Sequence, residues 1–409
     1  MNTRRTIGNA GLLMAANLAG MALPLVALPI LARRLGIDAF GLVALAQSVG
    51  MLPVLLVDAG FNSESMRATG EAVGTAPLQP LLDNLIARLR LGLLAAGATL
   101  LLGLAIPVLP LAFVAIALLQ LAGTLLFPQW WLIATGAAPQ LLALQLGGRL
   151  LSVLGIVWLV QSPDDAALAL ALQCGATLLS GLGFVVLRLL PRLHEMKTLD
   201  RGGHRALTAR ALPAAGSGFA VALAAQTPQW CLGALAGLQQ VGLYACGDRI
   251  ARAGVYALGA IDQSFLAPVA RRAREGGGHA SGRMANRVIL ALFALSAFAG
   301  LVLALAADRL VPWLFGAEFA GATVVVVLFA AWLPLQATRR AFLGLRFAAH
   351  GHQELIARCQ VIEAIAIVAC AGIGAALHGA TGAATGLLIT EAVAWTATSI
   401  LRPRTGSSP

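Results

Sequence analysis

Charge is scarce in this chain. Asp, Glu, Lys and Arg together make up 11% of its 409 residues, and Lys197 is the single lysine. A soluble domain carries about 25% charged residues, so this composition excludes an ordinary water-facing surface. Tyrosine occurs only twice. The five cysteines (Cys174, Cys231, Cys246, Cys359 and Cys370) stand singly in apolar stretches, without metal-ligand spacing. That pattern excludes a disulfide framework and a zinc module and fits small packing residues. There is no His-Glu-x-x-His, no Gly-x-Ser-x-Gly and no Walker loop, and no polar stretch that would build a nucleotide-binding domain. The sequence therefore predicts a protein that is not an enzyme and that uses no cofactor and no resident metal.

What the chain has instead is apolar length, 59% of it hydrophobic. Apolar runs longer than about 18 residues recur from end to end, the mark of repeated transmembrane helices. The run 7–32 after Arg4 and Arg5 is about twice as long as a signal-peptide core, so it is read as a retained first helix. Twelve spans are predicted, at 9–32, 40–59, 88–107, 109–128, 140–161, 166–188, 210–235, 241–268, 287–307, 321–342, 356–377 and 380–400. The expected fold is an all-α integral membrane protein with about twelve helices in two six-helix lobes around a central cavity. Residues 1–190 form the first lobe, 191–209 a basic linker, 210–402 the second lobe and 403–409 a tail.

The net charge of +11 would suggest nucleic acid in a soluble protein. Here the arginines gather at helix ends and short loops, so no nucleic-acid partner is expected. Arg188, Arg192, Lys197, Arg201, Arg205 and Arg210 mark the central loop. Arg271, Arg272, Arg274, Arg283 and Arg287 mark the loop after span eight, and Arg339, Arg340, Arg346 and Arg358 the loop after span ten. With Arg402 and Arg404 these fall on one side, against Arg33, Arg34 and Arg309 on the other. The asymmetry predicts both termini in the cytoplasm.

A faint repeat supports two halves. Gly36-x4-Gly41-Leu42 near span two matches Gly237-x4-Gly242-Leu243 near span eight, and the two spans end in Asp58-Ala-Gly-Phe61 and Asp262-Gln-Ser-Phe265. Span eight carries Asp248, Arg249, Arg252 and Asp262. Each such charge costs about 2.5–3.5 kcal/mol at the bilayer centre, so intramembrane charges are functional candidates by default. Asp248, Arg252, Tyr256, Gly259 and Gln263 follow helical spacing and predict one polar stripe. Asp248 and Arg252 stand four apart and neutralise each other in the plainer reading. Asp262 is about 20 Å along the helix from Arg249, so Arg249 has to meet another helix or a ligand.

Leu31-Ala-Arg-Arg-Leu-Gly-Ile-Asp-Ala-Phe-Gly41, with Leu56-Val-Asp-Ala-Gly-Phe-Asn62 and Arg67, resembles the N-terminal signature of Wzx-type polysaccharide flippases. Phe127-Pro-Gln-Trp-Trp131, Val241-Gly-Leu-Tyr-Ala-Cys-Gly-Asp-Arg-Ile250 and Leu314-Phe-Gly-Ala-Glu-Phe319 are similar, in order, to further motifs of that family. The family belongs to the multidrug/oligosaccharidyl-lipid/polysaccharide exporter superfamily. The resemblance implies a flippase of the bacterial inner membrane. Such a protein moves an undecaprenyl-diphosphate-linked oligosaccharide to the periplasmic leaflet by alternating access, for O-antigen or exopolysaccharide synthesis. Its partners would be that lipid-linked substrate, membrane lipid and other polysaccharide assembly proteins. The alternative is a cation- or proton-coupled multidrug exporter of the same superfamily.

A diphosphate needs cationic forks at membrane depth. Arg249 and Arg252 are the first candidates, and Gln226, Gln229, Tyr244, Tyr256, Gln263 and Asn17 would line a wet lumen for the glycan. Arg33 and Arg34 break the topology pattern; they would meet the diphosphate on release, or snorkel to headgroups. Arg149 in span five is a candidate cavity residue of the first lobe, with pairing to Asp58 as the structural alternative. Glu363 and Glu391 read as isolated carboxylates, either coupling transport to protons or sodium or bonded as neutral acids to a neighbouring helix. Pro228 reads as a kink inside span seven, Gly382-x-x-x-Gly386 as a close-packing motif, and Trp130 and Trp131 as interface anchors.

Overall fold

Glycine and proline punctuate a chain that is otherwise continuous helix. The computed structural model describes residues 3–58, 60–71, 78–196, 203–275, 278–348 and 351–401. Lys197, Arg201, Arg402 and Arg404, part of the charge asymmetry, lie outside these residues, as does the 403–409 tail. The described chain is nearly all helical, with no strand, and divides into two compact units, Met1–Phe219 and Ala220–Pro409.

The first unit holds α1 (Thr3–Asp58), α2 (Phe61–Glu71), α3 (Leu78–Leu104), α4 (Leu111–Ala117), α5 (Leu119–Leu126), α6 (Gln129–Ala134), α7 (Ala138–Leu159), α8 (Ala166–Phe184), the one-turn α9 (Leu193–Met196) and most of α10 (Gly203–Ala224). Gly36 breaks α1 with φ 71° and ψ 176°, between the two predicted spans that the helix covers. Small residues let the remaining helices close up. A Cβ on Gly148 of α7 would strike Ala176 and Ser180 of α8, and one on Gly123 of α5 would lie 2.5 Å from the Leu178 nitrogen. Close approach on small residues is how helices associate where lipid gives no hydrophobic drive.

The second unit holds α11 (Thr227–Leu235), α12 (Leu238–Arg274), α13 (Gly278–Phe315), α14 (Ala322–Phe342), α15 (Gln353–Ala366) and α16 (Gly372–Ile400). π-Helical turns at Leu343–Phe347 and Ile367–Ala371 extend α14 and join α15 to α16. At His378 and Gly379 the backbone of α16 leaves the helix. It folds back so that Gly374 meets Gly382 and Gly386 meets Cys370, backbone on backbone. This hairpin separates the spans predicted at 356–377 and 380–400, and the Gly382/Gly386 motif packs as expected.

Eight stretches of the described residues are long and apolar enough to cross a membrane. The 37-residue α12 is outside that set, because its charges dilute its apolar content. The surface is inverted relative to a soluble protein. Along α13, Leu290, Phe293, Phe298, Leu301 and Leu305 are exposed, while Ser296 is buried and a Cβ on Gly300 would strike the Ala330 carbonyl of α14. Apolar side chains exposed along so much of the chain fit lipid and not water.

Two expectations are corrected. Trp130 and Trp131 are buried, not interfacial; they pack with Leu78, Leu81, Phe127 and Phe184, and Trp131 meets the Phe184 ring edge-on at 5.7 Å. Pro128 opens the short helix α6 that carries them into the unit. Pro228 kinks nothing: it lies in the first turn of α11, after a break from α10, where its missing N–H costs no bond.

Candidate functional site

The charges of α12 divide between its buried face and its rim. Asp248 and Asp262 face inward, whereas Tyr256 and Gln263 are exposed. The predicted single stripe is thus not one face: Asp248 and Gly259 are buried, Arg252 is half-buried, and Tyr256 and Gln263 are exposed. Arg252 sits between: its Nε donates to both Asp248 oxygens at 2.7 Å, and its Nη2 donates to the Ala225 carbonyl at 3.3 Å. The plainer reading of this pair, mutual neutralisation across one helical turn, is the arrangement found. Arg249, half-buried beside Asp248, is itself engaged in the structure. Tyr244 does not line an aqueous surface. It is fully buried with its ring 5.4 Å from that of Phe329, and its hydroxyl has no hydrogen-bond partner among the described residues.

Consecutive arginines on α14 reach to different neighbours, as residues 100° apart on a helix must. Arg340 approaches Asp262 of α12 at 3.7 Å and crosses Gly259, where a Cβ would lie 3.0 Å from the guanidinium. The two border an open cleft of about 140 Å³ together with Gln263, Leu266, Gly344 and Leu345. Arg339 is buried and takes both glutamates of the second unit. Its Nε donates to Glu391 Oε2 at 2.7 Å, its Nη1 to Glu363 Oε2 at 2.9 Å, and its Nη2 to Glu363 Oε1 and Glu391 Oε1. Glu363 and Glu391 are therefore not isolated carboxylates. Sequence reasoning placed Arg339 in a basic loop, but the helix and its π-helical turn run past it to Phe347.

In the first unit Asp58 pairs with Arg88 of α3, not with Arg149. Arg88 Nη2 donates to Asp58 Oδ1 at 2.5 Å and to the Thr124 carbonyl, while Nε donates to the Val57 carbonyl and Nη1 to Asn84. Arg88 is the first residue of the span predicted at 88–107. Because α3 starts at Leu78, the residue lies three turns inside the helix, fully buried. Arg34 donates through Nη1 to the Ile156, Val157 and Val160 carbonyls, at 3.3, 2.5 and 2.7 Å. It thereby caps the C-terminus of α7, where the Ile156 carbonyl also accepts from the Val160 N–H and the last carbonyls run out of intrahelical donors. Arg33, its neighbour, is exposed.

Arg149 differs from these. It lies on α7, one turn after the buried Gln145, and its Nη1 is buried without a hydrogen-bond partner among the described residues. The buried carboxylates Asp248, Asp262, Glu363 and Glu391 each face an arginine. Each of these carboxylates is engaged by an arginine, Glu363 and Glu391 by the same one, whereas the Arg149 Nη1 has room for an acceptor.

A family model described as polysaccharide biosynthesis protein matches residues 7–273. Solved transporter structures share the fold. The lipid II flippase MurJ in an inward closed conformation superposes with a TM-score of 0.72 at 9% identity, over 96% of this chain and 87% of that one. An inward-facing multidrug resistance MATE family transporter of the MOP superfamily gives 0.70 at 14%, over 93% and 94%. A Vibrio cholerae MATE transporter in its bent form gives 0.54 at 16%, over 97% and 98%. No curated protein matches the sequence.

Proposed function

The chain belongs to the polysaccharide biosynthesis protein family, and from that premise we propose that it is a flippase for an undecaprenyl-diphosphate-linked oligosaccharide. It carries this substrate from the cytoplasmic to the periplasmic leaflet of a bacterial inner membrane by alternating access, with both termini cytoplasmic, and serves synthesis of a surface polysaccharide such as O-antigen or exopolysaccharide. Arg149 is the observation that carries the choice of an anionic substrate. A buried guanidinium nitrogen without a partner is costly until an acceptor arrives, and a diphosphate supplies acceptors in the bidentate geometry that arginine matches. In the second unit Arg252, at the rim of α12 one turn before the exposed Tyr256, offers a further cationic and hydroxyl-binding surface, and Arg249 stands next to it.

The MATE-like fold also favours a second reading, export of cationic drugs. Such a substrate needs carboxylates free of arginine contacts, and each buried one here is paired with an arginine, Glu363 and Glu391 sharing Arg339. The experiment is complementation of the source strain after deletion of its own copy. Arg149→Ala should abolish surface polysaccharide while the protein remains in the membrane at its normal level, and Arg149→Lys should restore it in part, as a point charge without the fork. Normal surface polysaccharide in Arg149→Ala would remove Arg149 from the mechanism. Unchanged polysaccharide on deletion of the gene, with raised drug sensitivity, would replace the flippase reading with the exporter.

A further inference from the structure

The cluster of Arg339, Glu363 and Glu391 holds one cation and two carboxylates in the interior of the second unit, with side chains 2%, 5% and 2% exposed. Fully ionised, it carries one net negative charge. An uncompensated ion in a low-dielectric interior costs several kcal/mol even after relaxation, and buried carboxylates that share a site do not both ionise readily. The geometry rules out relief by separation, because Nη2 of Arg339 donates to Glu363 and to Glu391 at once and so holds the two carboxylates side by side. Compensation has to come from something small. Each of the four carboxylate oxygens already accepts from the guanidinium. A proton needs one remaining lone pair, whereas a hard metal cation needs a cage of oxygens.

Among the described residues, the other groups bonded to or beside the cluster do not supply the charge. Gln336 of α14 accepts from Arg339 Nη2 at 3.1 Å, and the Thr390 and Thr398 hydroxyls of α16 donate to their own helix carbonyls. Cys359 of α15 is the further titratable neighbour of Arg339 and Glu363, and a thiol brings no positive charge. The neighbouring α11 and α12 meet α16 at Gly372, through Cys231, and at Gly379 and Ala380, through Gln240, nearer the hairpin tip than Glu391.

We infer that Arg339, Glu363 and Glu391 form a binding site for one exchangeable proton, carried by the glutamate pair, and that its release and uptake drive the transport cycle. The second clause rests on the flippase reading; the first does not. The cluster ties α14 to α15 and α16. With the proton bound it is neutral and closed. With the proton lost, two anions compete for one guanidinium and the tie loosens, so that the protonation state biases how these helices pack.

The test is infrared difference spectroscopy of the purified full-length protein in lipid across a pH series. The wild type should show a protonated-carboxyl carbonyl band that disappears on alkalinisation and shifts in heavy water. Glu363→Gln and Glu391→Gln should each lose it, since either leaves Arg339 with a single carboxylate and no net charge to compensate. The heavy-water shift in the wild type is a check that needs no variant to fold. No titrating band in the wild type, or a band that survives in both variants, would overturn the site; so would sodium-dependent thermal stabilisation in place of the band. In proteoliposomes, flipping by the single variants should no longer respond to a pH gradient, and an unchanged response overturns the coupling. If the wild type flips no lipid-linked oligosaccharide at all, the transport reading fails while the infrared result still decides the proton site.

Discussion

Gly36 and Gly237, one in each unit, hold the same backbone conformation, φ 71°, ψ 176° and φ 90°, ψ 171°. Gly316 shares it at φ 106°, ψ 163°. This region is open essentially to glycine alone and costs other residues about 1–3 kcal/mol. At Gly237 a Cβ would meet nothing within 4 Å, so the cost there is backbone only. Gly237→Ala is therefore expected to lower stability by about 1–3 kcal/mol, measured as the thermal midpoint in detergent. Gly344, equally open but helical, is the control: Gly344→Ala should be neutral or stabilising by about 0.5–1 kcal/mol. Equal midpoints for both variants would remove the strain argument.

The same glycines show how much of the fold was legible in the sequence. Gly-x4-Gly read as a weak repeat because two glycines at fixed spacing are common, but the shared dihedrals make it a repeated turn. A third copy stands at Gly316 and Gly321, and the flippase-like motif Leu314–Phe319 covers only the first of these glycines. Long apolar runs gave the helices and the hairpin, since hydropathy needs no tertiary information. The charge partners were not legible. Arg339 and Arg340 look like a topology signal at a helix end; the span predicted at 321–342 already covers them, but which carboxylates they reach is set by tertiary packing. The pairing of Arg88 with Asp58 was hidden by a helix start placed ten residues late. Span eight was the easy part: its charges stood out against an apolar background, and the i, i+4 pair of Asp248 and Arg252 followed from helix geometry alone.

Arg34 was a candidate for substrate release, yet it is committed to three carbonyls at the end of α7. Hydrogen bonds from a charged donor to such carbonyls are worth about 1.5–3 kcal/mol together with the helix-end effect. Arg34→Ala should lower the thermal midpoint, and Arg34→Lys should recover part of the loss because an ammonium still reaches the carbonyls. Substrate binding by the folded variant should be unchanged. A variant with wild-type stability and impaired transport would return Arg34 to the substrate path.

Arg88 and Asp58 are unequal partners, with side chains 2% and 40% exposed. Removing Arg88 strands the Val57 and Thr124 carbonyls and Asn84 in the interior and opens a cavity. Arg88→Ala is expected to cost about 3–5 kcal/mol, the range for breaking a buried pair. Asp58→Ala should cost less, because Arg88 keeps its other acceptors. Urea unfolding of the two variants in mixed micelles checks the order, and a larger loss for Asp58→Ala would show that the ion pair, not the carbonyl contacts, holds α3 to α1.

Asp248 and Arg252 give the opposite asymmetry. The carboxylate is the buried member, at 6%, and the guanidinium, at 32%, lies at the rim. Losing Arg252 leaves the buried Asp248 carboxylate without its hydrogen-bonded partner, a loss of about 3–5 kcal/mol. Losing Asp248 frees a cation that can turn toward solvent, so the loss should be nearer 1 kcal/mol. The double variant Asp248→Ala/Arg252→Ala should then be more stable than Arg252→Ala alone, because the stranded anion is gone. Thermal midpoints of the three variants decide the order. The functional readout separates the two roles of Arg252. Asp248→Ala keeps the cation at the rim and should retain lipid-linked oligosaccharide binding, whereas the double variant should lose it. If both bind alike, Arg252 serves only to neutralise Asp248.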